Sequence, residues 1–434
     1  MNKKSPAKKK AVPVPKGHWT NIGKRHLWPP YTQSSIAPEP LAVSGTKGCE
    51  IILDDGRKLV DGVASWWTAC HGYNHPHIIQ AMHKQLDVMP HVMIAGNLHQ
   101  PAALLCKRLA DMTKMDKVFL TDSGSTAVET ALKIAVQYWR NKGIKHRSKF
   151  VTFENAYHGD TMGCMSLCDP EKGMHKLFHE YMPRQYSMKL PSGEYGFAEF
   201  EALLEQLKHT IAGVIIEPLV QGAGGLKFHS SDVVAEIHRL CKEHDVLFIA
   251  DEVMTGFGRT GHMFACNEAG IIPDIMCVGK ALTGGTMTMA ATIATQEIYE
   301  AFDSQTLEDA LMSGPTYMAN PLACAAANAS LDLFEQESRL EQVANIETYL
   351  YDALSSLKVH KRVADVRVKG AIGVVQLHDA SWQDIVSMRT KAVEHGCWLR
   401  PFGDVLYVMP AFTITEKELK KLTDTMVSLI ETLD

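Results

Sequence analysis

The chain has 434 residues, 46% of them hydrophobic and 21% charged, with a formal net charge of −5, which is the balance of an ordinary soluble globular protein. Its body carries no basic stripe that would suit nucleic acid. No apolar run approaches the roughly 20 residues that a membrane-spanning helix needs. The length suits one large domain and a smaller one.

From the N-terminus, MNKKSPAKKKAVPVPKGHW carries six lysines in its first 16 residues, and residues 1–20 read as a solvated, disordered tail. It has no apolar core of a secretory signal and no Arg/Ser bias of a transit peptide. The ten cysteines form no C-x-x-C pair, Cys164 and Cys168 being nearest. No metal site is expected, and the thiols read as reduced in a cytoplasmic protein.

Next, IILDDGRKLVDGV predicts a hairpin turning at Asp55-Gly56. Apolar runs then alternate with amphipathic stretches to about residue 325. The strand candidates are KVFLT (117–121), KFVTF (149–153), GVIIEP (213–218), VLFIAD (246–251) and DIMCVG (274–279). In TAVETALKIAVQYW, Val128, Ala131, Leu132, Ala135 and Trp139 share one helical face. Apolar strands separated by helices predict a mostly parallel sheet covered on both sides. Residues 330–434 suggest two long helices, two short strands (GVVQLHD and VLYVMP) and a terminal helix. The boundaries read as 21–60, an N-terminal segment packing with the small domain, 61–328, a large domain, and 329–434, a small C-terminal domain.

Ligands of an open parallel sheet gather at the carboxyl ends of its strands. After KVFLT, DSGSTAVE opens a helix whose N–H groups suit a phosphate, although serine and glycine there also serve as ordinary caps. After KFVTF comes ENAYHGDT. VLFIA ends in Asp251, and DIMCVG leads into Lys280. A buried Asp needs a cation or hydrogen-bond donors. A Lys in the same layer loses basicity through desolvation and becomes a usable nucleophile. The two could simply pair as a salt bridge. Alternatively, Lys280 holds an aldehyde cofactor as a Schiff base while Asp251 faces a protonated ring nitrogen, the arrangement pyridoxal phosphate needs. Gly124 and Ser125 could then hold its phosphate, and Tyr157 or His158 could stack on its ring.

GFGRTG (256–261) fits G-x-G-x-x-G after a strand, but HMFACNEAGIIPDI behind it has little helical periodicity, which disfavours an NAD-binding oxidoreductase. The segment reads as a flexible connection in which Arg259 supplies a buried charge.

DEVMTGFGRTG followed by PDIMCVGKALTGG resembles the class III aminotransferases, pyridoxal-phosphate enzymes of the type I fold. The likeness continues through RHLWPPYTQ, DGVASWWTACHGYNHP, TDSGSTAVETALKIAVQYW, YHGDTMGCMSLCDP, EPLVQGAGG, GPTYMANPLACAAANASL and WLRPFGDVLYVMP, from about residue 25 to 410. It implies an α/β fold, with a mostly parallel seven-stranded sheet in a large cofactor-binding domain and a smaller α+β domain. It also implies a homodimer with active sites at its interface. The specific stretches SWWTACHGYNHP and YHGD imply transfer of an amino group from S-adenosylmethionine to 8-amino-7-oxononanoate in biotin synthesis, by ping-pong kinetics. Lysine as donor, a general ω-aminotransferase and an aminomutase are the alternatives on the same scaffold.

Carried onto this chain, the resemblance makes Lys280 the imine-forming lysine, Asp251 the partner of the pyridinium nitrogen, and Gly124 with Ser125 the phosphate cup. Tyr157 stacks on the ring. Gly314, Pro315 and Thr316 form the GPT segment, with Thr316 reaching the neighbouring subunit's phosphate. Trp66 and Trp67 line the channel for the apolar chain, and Tyr31 and Asp160 handle the amino end. Arg400 clamps the carboxylate, with Arg259 shaping the site through Asp160. The family differs in having histidine at Pro29 and Ser313 and glycine at Ala319.

Overall fold

The structure, a computed structural model, describes residues 18–433. The lysine-rich stretch through residue 17 lies outside them. Most of the tail expected over residues 1–20 therefore lies outside the described residues, while Trp19–His26 form a helix whose cap, His18, accepts the Thr20 N–H.

Seven strands form the central sheet, in the order Lys117–Thr121, Ala290–Ala294, Ile275–Val278, Leu247–Asp251, Ile211–Ile216, Lys149–Phe153, Tyr186–Met188. The last five pair in parallel, and Ala290–Ala294 runs antiparallel to both neighbours. Every residue of Ile211–Ile216 and Leu247–Asp251 is buried, as continuous apolar runs between two helical layers require. The five strand candidates all form. The two that the sequence reading left out are a three-residue edge strand and an alanine-rich one, neither with strong β-propensity.

Gly124–Asn141 is a helix, and the five residues expected on its inner face are all buried. Trp139 shows how an aromatic fits there: its indole N–H donates to the Ala212 carbonyl at 2.8 Å.

Beyond the central sheet, Val363–Lys369, Ile372–Leu377 and Val405–Val408 form an antiparallel sheet packed against the helix Arg339–Leu354. Two of these strands were expected. Val363–Lys369 was not, because only Val363 and Val366 in it are buried, leaving a weak apolar signal.

The hairpin forms as expected. Glu50–Leu53 pairs with Lys58–Asp61, and Gly56 turns at φ 83°. On the far side of Lys58–Asp61 lies the short strand Cys397–Trp398, so the hairpin reaches the segment that carries Arg400.

The GFGRTG segment is not the flexible connection expected. Phe257 and Arg259 are among the largest fully buried side chains, and Thr260 is buried beside them. All ten cysteines carry free thiols and nine are buried.

Candidate active site

The Leu247–Asp251 strand and its parallel neighbour Ile275–Val278 end side by side, which puts Asp251 and Lys280 at one edge of the same layer. They do not form the salt bridge that was the alternative. The Asp251 carboxylate accepts the His158 ring nitrogen Nδ1 at 2.7 Å and the Val253 N–H at 3.1 Å. Lys280 Nζ sits 5.0 Å from the centre of the Trp67 ring. Among the described residues no acid or carbonyl bonds it. Burial lowers its pKa, against the opposing pull of Asp251, Glu217 and Asp160. A desolvated, unbonded amine is the condition for imine formation.

The loop after Lys149–Phe153 is fastened at three points. The Tyr157 N–H donates to Glu217 Oε1 at 2.9 Å, the His158 ring meets Asp251, and the Asp160 N–H donates to Ser125 Oγ at 3.1 Å. Gly159 between them adopts φ 125°, and a Cβ there would lie 2.2 Å from Ser125 Oγ. Only glycine permits this approach. Burial pushes the Glu217 carboxyl up to about 7.

At the start of Gly124–Asn141, Ser123 caps the helix in a reciprocal pair with Thr126. The ordinary-cap reading therefore holds for Ser123, while the Gly124 and Ser125 N–H groups, in the first turn, stay outside the intrahelical ladder. Those two N–H groups, the Lys280 amine and the Asp251 carboxylate fit a phosphorylated pyridine aldehyde. Tyr157 lies along His175, with ring centres 5.8 Å apart and planes at 25°.

An outer wall gathers five of the proposed substrate residues. Asp160 accepts the Tyr157 hydroxyl at 2.9 Å, His175 Nε2 at 3.0 Å and, in a short bond, the Tyr31 hydroxyl. The His175 and tyrosine hydrogen bonds hold its pKa down at about 2. Tyr31 packs edge-on against Trp66 with ring centres 6.1 Å apart, and the Arg400 guanidinium carbon lies 4.4 Å over the same Trp66 ring. Trp67 is buried and meets Tyr407 edge-on.

The backbone beneath the two tryptophans is unusual. Ala64, Ser65, Trp66 and Trp67 have φ of 43°, 51°, 58° and 74°. Bonds from Trp67 N to Val63 O and from Thr68 N to Ala64 O close one turn of left-handed helix without a glycine. Each such residue costs roughly 1–2 kcal/mol.

Arg259, expected to shape the site through Asp160, has no hydrogen bond to Asp160, and its Nη2 is buried without a partner among the described residues. It donates to the carbonyls of Ala371 and Pro410 and stacks over Phe412, fully buried. Gly314, Pro315 and Thr316 lie in a loop with Met312 and Tyr317 largely exposed, Gly314 and Thr316 being exposed and Pro315 partly buried. Ala319 sits at φ 54°, a conformation that glycine adopts more readily.

The sequence reading missed His158 as the partner of Asp251, as well as Glu217, His175 and Tyr407. Glu217 ends a buried strand as Asp251 does, and that signal was available. The others are pairings between distant segments with no mark in the sequence.

The family model "Aminotransferase class-III" matches residues 31–430. The chain belongs to the class III aminotransferases. Among curated members of the family, this aminotransferase is 42% identical over 408 residues to the adenosylmethionine-8-amino-7-oxononanoate aminotransferase of Buchnera aphidicola subsp. Schizaphis graminum, covering 92% of this chain and 93% of that protein. It is also 42% identical over 408 residues to the Corynebacterium glutamicum protein of the same name, covering 92% and 96%. The crystal structure of the Methanocaldococcus jannaschii adenosylmethionine-8-amino-7-oxononanoate aminotransferase superposes with a TM-score of 0.91 at 33% identity, covering 97% of this chain and all of that one. The Pseudomonas jessenii omega transaminase in complex with PMP has a TM-score of 0.87 at 27% identity, covering 95% and 97%.

Proposed function

We propose that this aminotransferase moves an amino group from S-adenosylmethionine to 8-amino-7-oxononanoate, giving 7,8-diaminononanoate for biotin synthesis, with pyridoxal phosphate as its cofactor. The observation that carries the reading is the unbonded, buried Lys280 beside Asp251, closed in by the Trp66–Arg400 wall. The names of the relatives supply the substrates.

When bound, pyridoxal phosphate supplies an aldehyde that accepts and returns the amino group and a ring that draws off an electron pair. The chain's residues do the rest. Asp251, oriented by His158, keeps the ring nitrogen protonated. The Gly124 and Ser125 N–H groups hold the phosphate, and Tyr157 covers the ring. Lys280 would be the amine that holds the cofactor and the base that moves a proton at the substrate carbon. Trp66 and Trp67 receive the apolar chain and Asp160, with Tyr31, the amino end. Arg400 receives the carboxylate as a bidentate pair.

We place Gly314, Pro315 and Thr316 at the active site of a second copy, in a homodimer. The exposure of Gly314 and Thr316 on the single chain supports this. No helix among the described residues is long and apolar enough to cross a membrane. A cytoplasmic location is part of the proposal.

The test is the visible absorbance of the cofactor-loaded enzyme on mixing with each donor alone. S-adenosylmethionine is expected to convert the cofactor band, and subsequent 8-amino-7-oxononanoate to restore it. Conversion by lysine with no response to S-adenosylmethionine would overturn the donor assignment.

A further inference from the structure

The left-handed turn Ala64–Trp67 carries two channel tryptophans on a backbone that none of its residues favours, so something must hold it. Asp61 is placed to do so. The residue is 2% exposed. It accepts the Val63 N–H at 2.8 Å, the Ser65 N–H at 3.0 Å and the Tyr73 hydroxyl at 2.5 Å. The two N–H groups belong to the start of the turn, where the turn itself offers no acceptor.

A buried carboxylate is costly without a cation, and among the described residues none is bonded to Asp61; burial raises its pKa. Asp61 is also fixed to the opposite wall. It is in register with Trp398 in a parallel ladder, the Gly62 N–H donates to the Trp398 carbonyl at 3.0 Å, and a Cβ on Gly62 would lie 2.6 Å from Leu399 Cδ2. Arg400 follows directly.

We propose that Asp61 is a positioning residue for the amino acceptor: by capping the left-handed turn it sets Trp66 beneath Arg400 and Trp67 beside Lys280, and so governs recognition of an amphiphilic oxo-acid. This rests on the reading that Arg400 receives the acceptor carboxylate.

The experiment compares Asp61→Asn with the double variant Asp61→Asn/Ser65→Gly. Asn keeps the volume but loses the charge and one acceptor. The expected result is a KM for 8-amino-7-oxononanoate raised about tenfold, with kcat and the donor half-reaction within about twofold. Glycine at Ser65 takes positive φ without penalty, so the double variant is expected to recover most of the KM. The near-ultraviolet circular dichroism of the cofactor-free protein should change in Asp61→Asn and revert in the double variant.

Equal losses in both half-reactions, an unchanged KM, or no recovery with glycine would each overturn the proposal. Should Asp61→Asn not fold, Tyr73→Phe removes one of the three hydrogen bonds. It is expected to raise the acceptor KM about two- to threefold, and no rise would count against Asp61. If the parent enzyme does not use 8-amino-7-oxononanoate, the functional reading fails, while the dichroism of the cofactor-free variants still decides whether Asp61 holds the turn.

Discussion

The floor and the outer wall of the site are built by different means. On the floor, Asp251, His158 and Glu217 are buried at the ends of sheet strands or tied to them, and each hydrogen-bonds a neighbour within the layer. On the wall, Tyr31 is 56% exposed and Trp66 39%, both on positive-φ backbone outside the sheet. The floor offers chemistry that any amine could use. The wall offers an aromatic surface, a carboxylate and a guanidinium side by side. On the proposed function, reaction type and substrate choice would sit on separable parts of the chain.

The largest test of that separation is Lys280→Ala. On the floor, loss of the amine is expected to lower kcat by about a thousandfold with either substrate. Single-turnover rates of the two half-reactions check it, and a defect confined to one of them would break the division. Next in size is Arg400→Ala on the wall. The KM for the oxo-acid acceptor is expected to rise about a hundredfold, with the donor half-reaction changed only a few-fold. Steady-state kinetics with each substrate varied decide between this and a general loss.

The smallest effect concerns Asp160. Its folded pKa is held down to about 2, chiefly by His175, so its contribution to stability is present above the unfolded carboxylate value and is lost as pH falls through about 2. His175→Ala raises that folded pKa toward the ordinary value of about 4. The deficit in melting temperature against the parent is then expected to be full above about pH 4 and to shrink below it. A deficit that grows on acidification would show His175 acting through another group.

Legibility in the sequence follows the same division. The ends of buried strands can be read because an apolar run closing on a charge is rare, and Asp251 and Lys280 were found that way. The inner face of Gly124–Asn141 was legible from its periodicity. Ala290–Ala294 was not, since alanine signals no particular element. The surroundings of Arg259 were not legible because a buried guanidinium need not seek a carboxylate: here Nη1 meets two backbone carbonyls and the group stacks on Phe412. The left-handed turn was invisible because Ala-Ser-Trp-Trp contains no residue that prefers positive φ. The wall's residues came from family resemblance, and their mutual contacts came only from the fold.

The two-residue ladder that joins Cys397–Trp398 to Val60 and Asp61 has a mechanical consequence. Trp66 and Arg400, far apart in sequence, hang from opposite rails of one short girder. A displacement of either segment is expected to carry both, so the aromatic ring and the guanidinium would move as one.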